Sequence, residues 1–227
     1  MRIGILGSGN MGAALGRSFA ANGHTVGFSF SRDPAKLARL ARAGGPSAFT
    51  DSPREVARRS PVIVLAVHWQ QVTQVLRLAG NLRGKILIDC TNPMTAADDA
   101  LAVGHRTSGS EIVARRARGA RVVKAFNTVT SELIRAGANV LPKPPAVCYC
   151  GDDNGAKRSV ARLIRDLGFQ PTDCGELRNA RYLEPFALLV AELAYNQHSE
   201  SKARRSIHAS WRRLINIGDT HCCRLKT

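Results

Sequence analysis

Three glycines, Gly7, Gly9 and Gly12 in the run GSGNMG, are spaced so that a phosphate could sit against bare backbone. No reactive side chain is needed for this. The first glycine makes the sharp turn out of a strand, the second lets a pyrophosphate approach where a Cβ would obstruct it, and the third lets a helix pack closely on the strand. The free N–H groups at the start of that helix attract the phosphate charge. A glycine turn with no ligand has the same spelling, but this one directly follows an apolar strand and opens a helix, the context that makes it a dinucleotide motif.

A second group of residues selects the dinucleotide. At the end of the second strand an Asp or Glu would bind the ribose 2′-hydroxyl of NAD, whereas this chain reads Ser31-Arg32-Asp33 with Lys36 one helical turn further on. A hydroxyl, a guanidinium and an ammonium gathered there suit a 2′-phosphate, because Arg donates two parallel charge-assisted hydrogen bonds. NADP is therefore expected rather than NAD. The competing reading makes Ser31 and Asp33 helix caps and leaves Arg32 solvated.

Other side chains carry less. His68 is either a surface residue at a strand end or an acid or base. Trp69 either packs in the core or lines a second-substrate pocket, and Asn92-Pro93 and Asn127-Thr128 double as turn and cap chemistry. No residue is assigned a catalytic role. The cysteines Cys90, Cys148, Cys150, Cys174, Cys222 and Cys223 lack zinc-ligand spacing, so no metal site is expected and the thiols read as reduced and mostly buried.

The elements that must position these residues follow from periodicity. Apolar β-branched runs at 2–6, 25–29, 61–67, 85–90, 121–126, 145–151 and 170–174 alternate with helical segments, the pattern of an α/β chain with a parallel sheet. Helices are expected over 10–22, ending at Gly23, from Asp33-Pro34, after Asp152-Asp153 as far as Gly168, and over about 176–197. In the tail, Ile207, Trp211, Leu214 and Ile215 fit an amphipathic docking helix.

Composition bounds the function. With 227 residues, 44% of them hydrophobic, the chain can bury a core; one large domain with a smaller appendage is expected. A formal net charge of +16 permits nucleic acid, an anionic membrane or a polyanionic small molecule as partner. The basic residues are dispersed and no aromatics interleave with them, so nucleic-acid binding is not expected. Neither a signal-peptide core nor a bilayer-length apolar run is present, and a soluble cytoplasmic location is expected.

With GSGNMG, SRD, LAVHW, IDCTNP, VVKAFNT, CGDD and RYLEP in this order, the chain resembles the NADP oxidoreductases of the coenzyme F420-dependent type over about residues 1–197. The cytoplasmic reductase domain of the STEAP metalloreductases is similar. The resemblance implies a Rossmann-type, doubly wound, mainly parallel sheet over 1–175 and a small C-terminal helical segment with a basic tail over 176–227. It implies that Ser8, Gly9, Asn10 and Met11 form the pyrophosphate loop and that Ser31, Arg32 and Lys36 hold the 2′-phosphate. Ala66, Val67, His68, Asn92, Pro93, Ala125, Phe126 and Asn127 would then surround the nicotinamide and its ribose. It further implies hydride exchange between NADP(H) and a deazaflavin (coenzyme F420), a flavin or a similar small acceptor, in a homodimer. Pyrroline-5-carboxylate reductases share the first strand and turn, but their longer helical dimerisation domain has no counterpart after Cys174. An NADP(H)-binding sensor without turnover would use the same glycines and Arg32. The sequence after Gln197, beginning HSESKARR, departs from the family pattern.

Overall fold

The computed structural model describes residues 1–140 and 142–192. In chain order the elements are β1 (Arg2–Leu6), α1 (Asn10–Ala21), β2 (Thr25–Ser29), α2 (Pro34–Ala43), β3 (Ala48–Thr50), α3 (Pro53–Arg59), β4 (Val62–Leu65) and α4 (Val72–Ala79). There follow β5 (Ile86–Asp89), α5 (Gly109–Arg116), β6 (Arg121–Ala125), α6 (Ser131–Ala136), β7 (Ala146–Gly151), α7 (Asn154–Asp166), β8 (Gln170–Asp173) and α8 (Ala180–Ala191).

The strands form one sheet in the order β3-β2-β1-β4-β5-β6-β7-β8. Strands β1 to β6 pair in parallel, β7 runs antiparallel to β6, and β8 is parallel to β7. This is the doubly wound Rossmann arrangement, extended at one edge. Both faces of the central strands are buried because side chains alternate across the sheet and helices cover each side. Ile3, Ile5, Val62, Val64, Ile86 and Ile88 pack on one side with Leu15 and Phe19 of α1 and Val160 and Ile164 of α7. Leu6, Ile63, Leu65 and Leu87 pack on the other with Val75 of α4 and Val113 of α5.

The caps read from sequence are present. Asp33 Oδ1 accepts from Ala35 N at 2.9 Å with Pro34 opening α2, and Asp153 Oδ1 accepts from Ala156 N at 2.6 Å at the start of α7. Three expectations need correction. Strand β3 was not anticipated, because a three-residue, partly exposed edge strand shows no period. The segment before β6 is not helical throughout: residues 91–108 form an irregular loop, pinned by a bridge between Met94 and Leu101, and only Gly109–Arg116 is helix. The helix expected from about 176 begins instead as a 3₁₀ turn at Leu177–Asn179 and becomes α-helical at Ala180. The expected tail helix around Trp211, together with Cys222 and Cys223, lies outside the described residues.

Candidate functional site

Where β1 gives way to α1, the glycines divide their tasks by the space around them. Gly7 has φ +115°, and a Cβ there would stand 2.2 Å from the Ala66 carbonyl oxygen. At Gly12 a Cβ would lie 2.0 Å from the Gly7 oxygen, so the helix reaches its packing distance only without a side chain. Around Gly9 a Cβ would meet no atom within 4 Å. That open space lies beside the N-terminus of α1, where Gly9 is the N-cap, no side chain caps the helix and no acidic residue stands in the first turn. The unpaired first-turn N–H groups of Asn10, Met11 and Gly12 therefore suit an anion.

The turn is tied to the end of β2. Gly7 N donates to Ser29 O at 3.0 Å and Ser8 N to Phe30 O at 3.2 Å, while the buried Ser8 hydroxyl donates to the same Phe30 oxygen. Ser8 thus holds the loop rather than facing the cleft. Phe30 adopts φ +60°, a conformation costly for a residue with a side chain, and turns the chain into Ser31 and Arg32. The Ser31 oxygen accepts from Asp33 N at 3.0 Å, which leaves its own proton free to be donated. Asp33 is engaged by its cap and by Arg39 at 3.0 Å. Asp33 caps α2, as the competing reading of this segment has it, and Arg32 is exposed and makes no ion pair among the described residues.

A cleft of about 300 Å³ opens between the carboxyl ends of β1, β4 and β5, next to the point where strand order reverses between β1 and β4. Open α/β sheets bind ligands at such a point. One wall is Gly9, Asn10 and Met11, and another is Ala66, Val67, His68 and Trp69. Cys90, Thr91 and Asn92 after β5 form the third, with Met94 and Asp98 from the following loop. Trp69 lines the cleft and also packs against the core beneath α4. Burial pushes the Cys90 thiol well above its ordinary value, which keeps it in the neutral form.

Pro93, Ala125, Phe126 and Asn127 are not among the lining residues. Ala125 and Phe126 are fully buried in the core, and Phe126 repeats at the end of β6 the left-handed turn of Phe30, with φ +64°. Asn127 Nδ2 donates to Asn92 Oδ1 at 3.1 Å and to the Leu183 carbonyl at 3.0 Å, while its buried Oδ1 finds no partner. Asn127 therefore supports the wall from behind.

Sequence reasoning missed a buried ionic cluster under the same wall. Lys124, Asp89 and Glu184 are 0%, 0% and 1% exposed, and the Lys124 ammonium lies 3.2 Å from Asp89 Oδ2 and 3.0 Å from Glu184 Oε1. It also donates to the Thr91 carbonyl. Burial acts to lower the Lys124 pKa, but the two carboxylates override it and hold the ammonium above its ordinary value. Asp89 accepts in addition from Thr91 N, the Thr91 hydroxyl and the Ser110 hydroxyl, and Glu184 accepts from Gly109 N and Ser110 N at the start of α5. The available signal was a charged residue inside each apolar run, in RVVKAF and KILIDC. Among the described residues no group of His, Cys, Asp or Glu is arranged to hold a metal ion, and no helix is long and apolar enough to cross a membrane.

Comparison with known proteins agrees with this geometry. Residues 2–93 match the model of the family NADP oxidoreductase coenzyme F420-dependent. The F420-dependent NADP reductase of Methanothermobacter marburgensis is 29% identical over 85% of this chain and 92% of its own length. Metalloreductase STEAP3 of Rattus norvegicus is 35% identical over 82% of this chain, which spans only 36% of that relative's length. A crystal structure described as an F420-dependent NADP reductase from Arthrobacter sp. FB24 superposes with a TM-score of 0.72 at 27% identity, covering 82% of this chain and 89% of the other. The glycine turn, the sheet order and these relatives agree with the family match: residues 2–93 are those of the NADP oxidoreductase coenzyme F420-dependent family, which the chain resembles over most of its length.

Proposed function

We propose that the protein binds NADP(H) in the switch-point cleft and exchanges a hydride between the nicotinamide and a second small acceptor of deazaflavin, flavin or similar chemistry. The observation that carries this reading is the open space at Gly9 beside the uncapped N-terminus of α1. A pyrophosphate fits there because the first-turn amides lack partners and no Cβ intrudes. Arg32 and Lys36 would hold the 2′-phosphate, and Ala66, Val67, His68, Thr91 and Asn92 would bound the nicotinamide end. When bound, the nicotinamide supplies the hydride chemistry itself. The residues of this chain bind, orient and shield it; none is asked to move a proton. The acceptor would enter from the side of His68 and Trp69, which border the cleft.

The test compares NADPH and NADH binding for the native protein and for Arg32→Ala, followed by turnover with a deazaflavin, a flavin and a ferric chelate. Native protein should prefer NADPH, and Arg32→Ala should weaken NADPH by about 10- to 100-fold, as the loss of a charge-assisted pair implies, while leaving NADH unchanged. An unchanged preference in Arg32→Ala would overturn the 2′-phosphate assignment. NADPH binding without turnover on any acceptor would make the protein a sensor instead.

A further inference from the structure

Two lines of contact run from α8 to the β5 wall of the cleft, one through β6 and one through the turn that follows it. In the first, Glu184 of α8 holds the Lys124 ammonium at 3.0 Å, and Lys124 in turn donates to the main-chain carbonyl of Thr91. In the second, the Leu183 carbonyl accepts from Asn127 Nδ2, which also donates to Asn92 Oδ1. Thr91 and Asn92 line the cleft, whereas Lys124 and Glu184 do not. The cluster therefore acts on the site only through the wall it supports.

Its composition is poor for stability alone. A buried ion cluster contributes little compared with apolar packing of the same volume, because three charges must be stripped of water. What this one provides is direction: the ammonium grips a carbonyl of the cleft wall, and the carboxylate that anchors it comes from a helix some 60 residues away in the chain. The Glu184 carboxylate also accepts from Gly109 N and Ser110 N at 2.8 and 3.1 Å, so α5 and α8 fix it from both sides.

We infer that Lys124 and Glu184 are positioning residues through which α8 sets the Thr91–Asn92 wall and hence the seat of the nicotinamide, leaving the adenosine end of the cofactor to the glycine turn and Arg32. This rests on the cofactor reading above. Helix α8 is then part of the reactive half of the site even though none of its side chains lines the cleft.

The double variant K124M/E184Q tests this. It cuts the link to Thr91 yet keeps the formal charge of the cluster at −1, since one ammonium and one carboxylate are removed together. Three quantities are compared with native protein: affinity for adenosine 2′,5′-bisphosphate, which lacks the nicotinamide; fluorescence of bound NADPH; and kcat against KM with whichever acceptor turns over. Bisphosphate affinity should stay within about twofold, while the nicotinamide fluorescence shifts toward that of free NADPH and kcat falls about tenfold or more. Unchanged fluorescence and kcat would overturn the inference. So would equal weakening of the bisphosphate and NADPH, the signature of a merely structural role. Should the double variant fail to fold, Glu184→Gln alone keeps an acceptor for Ser110 N and carries the same comparison with a smaller effect. Native protein that binds neither ligand would overturn the cofactor reading, and the inference with it.

Discussion

At Gly9 and Gly12 one added methyl group should have opposite consequences. A Cβ at Gly9 enters open space on a backbone of φ −64°, which any residue adopts, so Gly9→Ala should leave the melting temperature unchanged. The same methyl would occupy the pyrophosphate seat, and NADPH affinity should fall about tenfold or more, as read by nicotinamide fluorescence titration. Gly12→Ala instead drives a Cβ to within 2.0 Å of a backbone oxygen and should cost about 1–3 kcal/mol of stability or more in a denaturant melt. Both roles were legible in the spacing of the glycines. The spacing alone did not show the Ala66 carbonyl that closes off the space beside Gly7. Nor did the sequence show the packing of Ser8: the resemblance placed it in the pyrophosphate loop, and the structure shows it buried, with its hydroxyl donating to Phe30 O.

Helix α8 is docked by a second, more exposed pair. Glu111 of α5 meets Arg181 of α8 through two hydrogen bonds of 2.9 and 2.6 Å and accepts a third from the Ser108 hydroxyl. The Arg181 bonds, more than burial opposes them, hold the Glu111 carboxyl below its usual 4.5. A carboxyl depressed on folding stabilises the native state fully above its unfolded value and loses that contribution as pH falls through the folded one. Glu111→Gln should therefore melt lower than native protein at pH 6, by about 1 kcal/mol, and the difference should shrink below pH 4.5. Thermal melts of both proteins across pH 6 to 3 provide the measurement, and a constant difference would count against the pair. Periodicity revealed these two helices only in part. Ser108 and Glu111 form a cap pattern, S-x-x-E, but the long loop before them and the 3₁₀ start of α8 have no period to read.

For the molecule as a whole, the net charge of +16 has a kinetic consequence. A polyanionic cofactor approaching a basic protein is steered at low salt, and this steering fades as the screening length shrinks from about 10 Å at 0.1 M to about 3 Å at 1 M. Stopped-flow association of NADPH should slow about tenfold over that range, whereas dissociation should change much less. A salt-independent association rate would mean that the positive charge lies away from the cleft. The sequence by itself determined the α/β alternation of a parallel sheet and the glycine turn, and it set the expectation of a 2′-phosphate, because each is written in local spacing: glycines around one turn, alternation along one strand, polar residues at one strand end. Only the tertiary structure decided that Lys124 joins Asp89 across 35 residues and Glu184 across 60, and that Asn127 buttresses Asn92 from behind. Partners that far apart have no shared period, so it is the pairing of β5 with β6 and the docking of α8 beside them that brings their charges together beneath the cleft.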